Sequence, residues 1–432
     1  MFDNQNIRNG QGMLALSPLF IFLIMYLLLS LIIGDFCKMP LSVSFIIASI
    51  WGIISTRSIP LRERIEKFSS GAANTEVIYM VWIFIMAGAF ATLAQKIGAT
   101  EATVNLTLEL LPGYFLMSGL FLASCFVSMS VGTSVGTVVA LTPVAVGIAT
   151  ETGQSIPLFT AIIVGGAFFG DNLSFISDTT IASTRSVNCE MSDKFKANIW
   201  LTLPAALFIF VIYMLIGKNV SAPMQSVASN WILVIPYFVV IFTAIMGLNV
   251  LLVLTMGITT SIVFGLIFTD YSIIDMFGFM GNGIDSVGNL IIVTLLASGL
   301  LGIIKYNGGI SFILQKLSSK ISGKRGAQTV ISILVSIVNI CTANNTIAIL
   351  TVGGISKEIS DKYNLDKRKT ASLLDTCSCV TQSILPYGAQ VLMAASLAGI
   401  SPLLIIPHLY YPFALGFMVI LSIIFQFPKR HR

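Results

Sequence analysis

Charged residues are scarce in this sequence. Only 10% of its 432 residues are charged and 56% are hydrophobic, whereas an ordinary soluble protein carries about 25% charged residues. So few charges cannot cover a water-exposed surface, which excludes a soluble enzyme. The six cysteines form no CxxC pair and there are only two histidines. A disulfide framework, a zinc site and a haem site are therefore not indicated, and we expect no cofactor.

The sequence contains many long stretches without charged residues. A helix that crosses a bilayer needs about 20 apolar residues, and runs of this length recur from one end of the chain to the other. With the loop Arg57–Lys67 in the cytoplasm, every lysine and arginine except Lys38, Lys96 and Lys218 falls on that side. The sequence predicts an all-α polytopic membrane protein in a lipid bilayer, with both termini cytoplasmic. Its net charge of +5 reflects this topology, and we expect no nucleic-acid partner.

Two uncharged runs have lengths that a simple span does not explain. Residues 110–150 would form a helix about 60 Å long, twice the thickness of the bilayer core. Residues 326–356 are too long for one span and too short for two. Both runs have polar centres of small residues. We predict re-entrant hairpins at about 112–150 and 327–356, each followed by a helix broken near the bilayer centre, at about 158–184 and 370–398.

The two halves of the sequence resemble each other. Thr133 aligns with Thr342 at a shift of 209 residues, and Asp171 aligns with Asp375 at a shift of 204. The same element order entering from opposite faces predicts inverted-topology repeats, a construction common in secondary transporters. The predicted organisation is N-terminal scaffold helices at 1–75, repeat 1 at 76–197, central scaffold helices at 198–285, repeat 2 at 286–398, and a C-terminal helix with a basic tail at 399–432.

Three acidic residues, Asp171, Asp178 and Asp375, fall at membrane depth. The charge map leaves no lysine or arginine at that depth to pair with them. An unpaired carboxylate is costly in a low dielectric, and such a group holds either a proton or a cation. We therefore predict that Na⁺ and H⁺ compete for Asp171 and Asp375, with Asp178 as an accessory.

Neutral oxygen-bearing side chains surround these acids and suit a hard cation. The predicted ligands are Thr133, Ser134, Asn172 and Ser174 in the first half, and Asn344, Asn345, Thr346, Thr376, Ser378 and Gln382 in the second. Structural roles are the alternative. Asp178 would then cap a broken helix, and Asn344 with Asn345 would close the hairpin turn.

One motif points to a different class of protein. Gly132–Gly136 fits G-x-S-x-G, the nucleophile elbow of hydrolases. That motif requires a strand-to-helix turn and a triad histidine. Here it falls at a predicted hairpin tip, and the membrane region has only His408. We predict no enzymatic activity, and opposed hairpins favour alternating access over a channel.

The resemblance to a known family lies in four segments that carry the polar motifs and the hairpin tips: Gly132–Pro143, Gly165–Thr180, Thr342–Gly354 and Leu373–Gln390. They resemble the NhaC family of sodium:proton antiporters, within the broader ion-transporter superfamily. With the matching topology, the resemblance covers about residues 20–430. It implies a secondary antiporter of the bacterial inner membrane that exports sodium in exchange for protons. The broader superfamily implies an elevator-like motion of the hairpin domain against a scaffold, and a homodimer.

An alternative function follows from the same resemblance. The family also contains exchangers of organic acids, such as malate against lactate. Sodium- or proton-coupled exchange of a small carboxylate or an amino acid is therefore the second hypothesis. No intramembrane arginine or lysine is predicted to hold such an anion, although the N-termini of hairpin helices can hold a carboxylate.

Overall fold

The structure is a computed structural model that describes residues 9–33, 40–174, 177–218, 220, 231–246, 248–318 and 321–428. Several basic residues of the charge map lie outside this part of the chain, namely Arg8, Lys38, Lys320 and the tail at 429–432.

The described residues form helices joined by short connections, and no strand occurs among them. In chain order the helices are α1 (Asn9–Ile33), α2 (Leu41–Ser55), α3 (Leu61–Ala72), α4 (Thr75–Lys96), α5 (Ala99–Leu110), α6 (Leu116–Val131), α7 (Ser134–Glu151), α8 (Ile156–Leu173), α9 (Asp178–Val187), α10 (Met191–Gly217), α11 (Ile235–Ile245), α12 (Val250–Phe268), α13 (Ile273–Ser286), α14 (Gly288–Tyr306), α15 (Gly309–Ser318), α16 (Gly323–Thr342), α17 (Asn345–Lys362), α18 (Lys367–Ile384), α19 (Ala389–Ala398), α20 (Pro402–Ile405) and α21 (Tyr410–Phe425).

Many of these helices have the length and composition of membrane spans. Seven described stretches are long and apolar enough to cross a bilayer, and nine if each of two bent pairs counts as one span. Helices suit this environment because they satisfy their backbone hydrogen bonds internally. The predicted fold class, an all-α polytopic membrane protein, is confirmed.

Three helices of the first half recur in the second half with the same lengths and spacing. α7 and α17 have 18 residues each, as do α8 and α18, and α9 and α19 have 10 each. Ser134 and Asn345, which begin α7 and α17, lie 211 positions apart, and the starts of the other two pairs differ by the same number. The predicted domain boundaries and the opposite orientation of the halves stay predictions.

This spacing corrects the register read from the sequence. At a spacing of 211 residues Asp171 corresponds to Gln382, and Asp375 corresponds to Val164. The shift of 204 that aligned the two aspartates is wrong by seven residues, which is about two helical turns. Hydrogen bonds support the new register, because Ser128 Oγ donates to the Ala167 carbonyl (2.5 Å) and its counterpart Asn339 Nδ2 donates to the Ser378 carbonyl (2.7 Å).

Packing brings the helix breaks of both halves together. α7 begins after the break at Gly132–Thr133 and packs against both α8 and α19. α17 begins after the break at Ala343–Asn344 and packs against both α18 and α9. Each of these helices therefore contacts the broken helices of both halves, and the polar residues at the breaks are gathered in the interior.

The contact between α6 and α8 depends on glycine. A Cβ atom on Gly170 would lie 2.3 Å from Ser128 Cβ and 2.5 Å from the Met129 nitrogen. Gly166 meets Ser124 in the same way. The close approach allows Ser124 Oγ to reach the Ile163 carbonyl at 2.7 Å. This close approach of α6 and α8 holds the C-terminal end of α8, where Asp171 lies, in position.

We expect Gly170→Ala to destabilise the protein by about 1–3 kcal/mol, because the added methyl group overpacks against the Ser128 Cβ and the Met129 backbone nitrogen, which no side-chain rotation can move away. Thermal unfolding in detergent measures the effect. Gly354→Ala is the matched control, since a Cβ there meets nothing within 4 Å and alanine favours a helix by about 0.5–1 kcal/mol. Equal melting temperatures for the two variants would contradict the tight packing of α6 on α8.

Candidate functional site

Asp171 lies in the last turn of α8, immediately before the helix break, and its side chain is only 4% exposed. Ser134, the first residue of α7, donates to it twice: its backbone nitrogen lies 3.2 Å from Oδ1 and its Oγ lies 2.5 Å from Oδ2. Ser177 Oγ lies 3.4 Å from Oδ1. Within the described residues Asp171 has no ion pair. The N-terminus of α7 thus faces a buried carboxylate that has no basic partner among the residues that the structure describes, and its helix dipole favours the negative charge.

Two glutamines of the second half reach the same carboxylate through Ser134. Gln390 Nε2 donates to Ser134 Oγ at 3.0 Å. Gln382 Nε2 donates to Gln390 Oε1 at 3.1 Å and to the Ala343 carbonyl at 2.9 Å. The break of the second half is therefore connected by hydrogen bonds to Asp171.

Four buried amide oxygens near the breaks accept no hydrogen bond in the described structure: Asn172 Oδ1, Asn198 Oδ1, Asn339 Oδ1 and Gln382 Oε1. All four residues are at most 1% exposed. An unsatisfied buried acceptor costs about 1–3 kcal/mol. An excess of oxygen acceptors over donors is the composition that a hard cation prefers.

Asp375 has a different environment, which corrects the predicted charge map. Lys194, which is 1% exposed, places its Nζ 2.7 Å from Asp375 Oδ2. The same ammonium donates to Thr180 Oγ1 at 2.7 Å and to the Asn172 carbonyl at 2.8 Å. Asn198 Nδ2 lies 2.8 Å from both the Asn172 carbonyl and Asp375 Oδ2. The prediction that no basic residue pairs with these acids is therefore wrong for Asp375.

The remaining predicted ligands take mostly structural positions. The Asp178 side chain is exposed at the start of α9, outside the buried cluster. Asn344 caps α17, because its side chain accepts a bond from the Ile347 nitrogen at 3.0 Å. Asn345 accepts from the Thr346 nitrogen at 3.0 Å. The hydroxyls of two residues on α18, Thr376 and Ser378, donate to carbonyls of their own helix. Thr133 and Ser174 flank the breaks at the start of α7 and the end of α8.

Two cavities border these helices, one at the start of α17 and one along α7 and α19. One, of about 330 Å³, is lined by Lys67 and Lys305 and reaches Asn344 and Tyr387 at the break of the second half. The other, of about 580 Å³, is lined by Glu101 and Glu151 among other residues. On the predicted topology the first cavity faces the cytoplasm and the second faces the outside.

Comparison with known proteins identifies the family. The profile of the Na⁺/H⁺ antiporter family matches residues 11–218 and 220–428. This chain belongs to that family. The resemblance drawn from the sequence motifs is thereby confirmed, and the protein is a multi-pass membrane transporter of an antiporter family, which is not a family of enzymes.

Curated relatives extend this assignment. The Na⁺/H⁺ antiporter NhaC of Bacillus subtilis is 26% identical over 355 residues, which covers 74% of this chain and 77% of the relative. The malate-2H⁺/Na⁺-lactate antiporter of the same organism is 23% identical and covers 79% of this chain and 80% of its own. Among solved structures, the YdaH transporter of Alcanivorax borkumensis matches with a TM-score of 0.42 and 14% identity, covering 84% of this chain and 88% of that one.

Sequence reasoning missed several residues of this antiporter's interior: Lys194, Asn198, Thr180, Asn339 and Gln390. A signal for the first two exists in the sequence. Lys194 and Asn198 are four positions apart at the start of a span, so a helix that begins before the uncharged run presents both on one face. α10 begins at Met191, which places Lys194 within the helix.

Proposed function

We propose that this antiporter exchanges Na⁺ for H⁺ at Asp171, exporting sodium as protons enter. The observation that carries the proposal is a buried carboxylate, held by hydroxyl and amide donors, with no basic partner in the described structure. Such a group is costly as a bare anion, so it is stable with either a proton or a sodium ion. One carboxylate cannot hold both, and this competition couples the two fluxes.

The ligands that support sodium binding are neutral oxygens next to Asp171. The hydroxyls of Ser134 and Ser177 contact the Asp171 carboxylate. A hydroxyl that donates its hydrogen to the carboxylate can also coordinate a cation through its oxygen lone pairs. Asn172 follows Asp171 directly and carries a buried amide oxygen without a donor. We propose these groups, with Gln382 as a second amide, as the sodium ligands.

Alternating access is the mechanism that we propose for the exchange. Two halves of matching helices, matched separately by the family profile, support a moving unit formed by the hairpins and broken helices. We propose that the cavity lined by Lys67 and Lys305 and the cavity lined by Glu101 and Glu151 are the access routes from the two faces. We propose an elevator-type motion in a homodimer of the bacterial inner membrane, with both termini in the cytoplasm.

The test uses purified protein in liposomes that contain an internal pH dye. A sodium gradient imposed with no organic solute present should drive proton movement in the opposite direction. A panel of small carboxylates and amino acids is tested in parallel. If proton movement requires an organic acid as well as sodium, this proposal is wrong. The protein would then exchange organic acids, as the name of the malate-2H⁺/Na⁺-lactate antiporter describes for that relative.

A further inference from the structure

We propose that Lys194 occupies a second cation site, built by both halves of the protein, so that Asp171 is the one of the two buried aspartates that binds the transported ion. This inference rests on the proposed function, because it assigns the number of exchangeable ions in each chain. It differs from the prediction of two titratable aspartates, in which Asp171 and Asp375 each bind a cation.

The contacts of the Lys194 ammonium are those of a bound cation. Its three N–H groups have three oxygen partners at 2.7–2.8 Å: a carboxylate oxygen of Asp375, the Thr180 hydroxyl and the Asn172 carbonyl. An ammonium group has three donors and no acceptor, so these contacts satisfy it completely. Carboxylate, hydroxyl and carbonyl oxygens are also the ligands of hard metal cations.

The site is shared between the halves, and a second residue of α10 binds the same groups. Thr180 and Asn172 belong to the broken helix of the first half, whereas Asp375 belongs to α18 of the second half. Asn198, one turn after Lys194 on α10, binds the same carbonyl and the same carboxylate oxygen. α10 thus ties the two broken helices together with a lysine and an amide.

Charge balance leaves one ion to be supplied from solution. Asp171 and Asp375 are buried carboxylates in this region, and Lys194 is the buried ammonium that contacts one of them. Since Lys194 neutralises Asp375, one negative charge remains, on Asp171. An unneutralised charge is unfavourable at this depth, so a single monovalent cation or a single proton completes the site.

The repeat register separates the two acids further. The counterpart of Asp171 is Gln382, a polar residue at the equivalent break, whereas the counterparts of Asp375 and Lys194 are the apolar residues Val164 and Ile405. The ion pair therefore has no equivalent in the other half. Asp171 occupies the position that both halves keep polar, as a residue that binds the transported ion would.

Counting bound sodium ions tests the inference. Isothermal titration with NaCl in a choline buffer should give about one sodium per chain for the unmodified protein and none for Asp171→Asn. Lys194→Met should raise the count to about two, because the vacated oxygens and Asp375 then bind a second ion. The variant K194M/D375N should return to one. Lys369→Met is the matched control, since Lys369 is also buried but contacts Ser422 and the Phe427 carbonyl, and it should keep one.

Two results would overturn the inference: two sodium ions in the unmodified protein, or an unchanged count in K194M. The count on the unmodified protein decides the matter even if K194M cannot be purified. A single bound sodium without sodium-driven proton movement in liposomes would count against the proposed function and leave this inference supported.

Discussion

Asp171→Asn is expected to abolish sodium-dependent proton movement, reducing the exchange rate at least about 100-fold. Asparagine preserves the size of the side chain and can keep a bond to Ser134. It removes the negative charge that makes the site hold a proton or a sodium ion. Because the change is nearly isosteric, we expect the variant to fold, so that the loss of exchange activity results from the missing charge and not from unfolding. The measurement is the internal-pH assay in liposomes under an imposed sodium gradient.

The control for this variant is Asp178→Asn, seven residues further along the chain. Asp178 is exposed and lies outside the buried cluster, so its neutralisation should change the exchange rate by only a few-fold. The pair of variants separates a buried exchange site from a general need for acidic residues in this region. Full activity in Asp171→Asn, with folding verified by its melting temperature, would remove Asp171 from the site.

Asp375→Asn is expected to cost about 3–5 kcal/mol of stability, which is enough to lower the yield of folded protein severely. Removal of one partner leaves the buried Lys194 ammonium without a countercharge, and an uncompensated buried charge is far more costly than a missing pair. Its other contacts, to Thr180 and the Asn172 carbonyl, are neutral and do not replace the carboxylate. Thermal unfolding in detergent, together with the expression level, measures the loss.

An exposed ion pair on α10, the helix that carries Lys194, is the control. Asp193 lies 3.6 Å from Lys196, with side chains that are 41% and 70% exposed. Surface pairs of this kind contribute at most about 1 kcal/mol, so Asp193→Asn should have a small effect. If Asp375→Asn proves as stable as Asp193→Asn, Lys194 does not depend on Asp375 in the folded protein.

The sequence alone was sufficient for the class of protein and its family. Scarce charge and long apolar runs predict membrane helices because a bilayer imposes length and composition on each span separately. Likewise, the polar centres of the two long runs contain the helix breaks at Gly132–Thr133 and Ala343–Asn344. These features are local, so they can be predicted from the sequence without knowledge of neighbouring helices. The NhaC-type motifs could be recognised for the same reason.

The tertiary structure decided the register of the two halves. Sequence identity between the two halves is too weak to choose among alignments that differ by a few residues. The shift of 204 residues was chosen because it aligned one acid, Asp171, with another, Asp375. Only the helix ends, which depend on capping and packing together, reveal the common spacing of 211 residues. Asp171 is thereby matched with Gln382 and the apparent symmetry of the aspartates is lost.

The tertiary structure also decided which acid is neutralised. In the sequence Lys194 precedes the uncharged run that begins at residue 197, and this position predicts a residue of a solvated loop. In the folded protein α10 begins before it, and the lysine side chain reaches Asp375, which is remote in sequence. Charge neutralisation depends on distances of a few ångströms between helices, and a linear pattern carries no such distances. The sequence therefore determined that buried acids exist. The packing of α8, α10 and α18 determined that Asp375 is paired, whereas Asp171 has no ion pair in the described part of the chain.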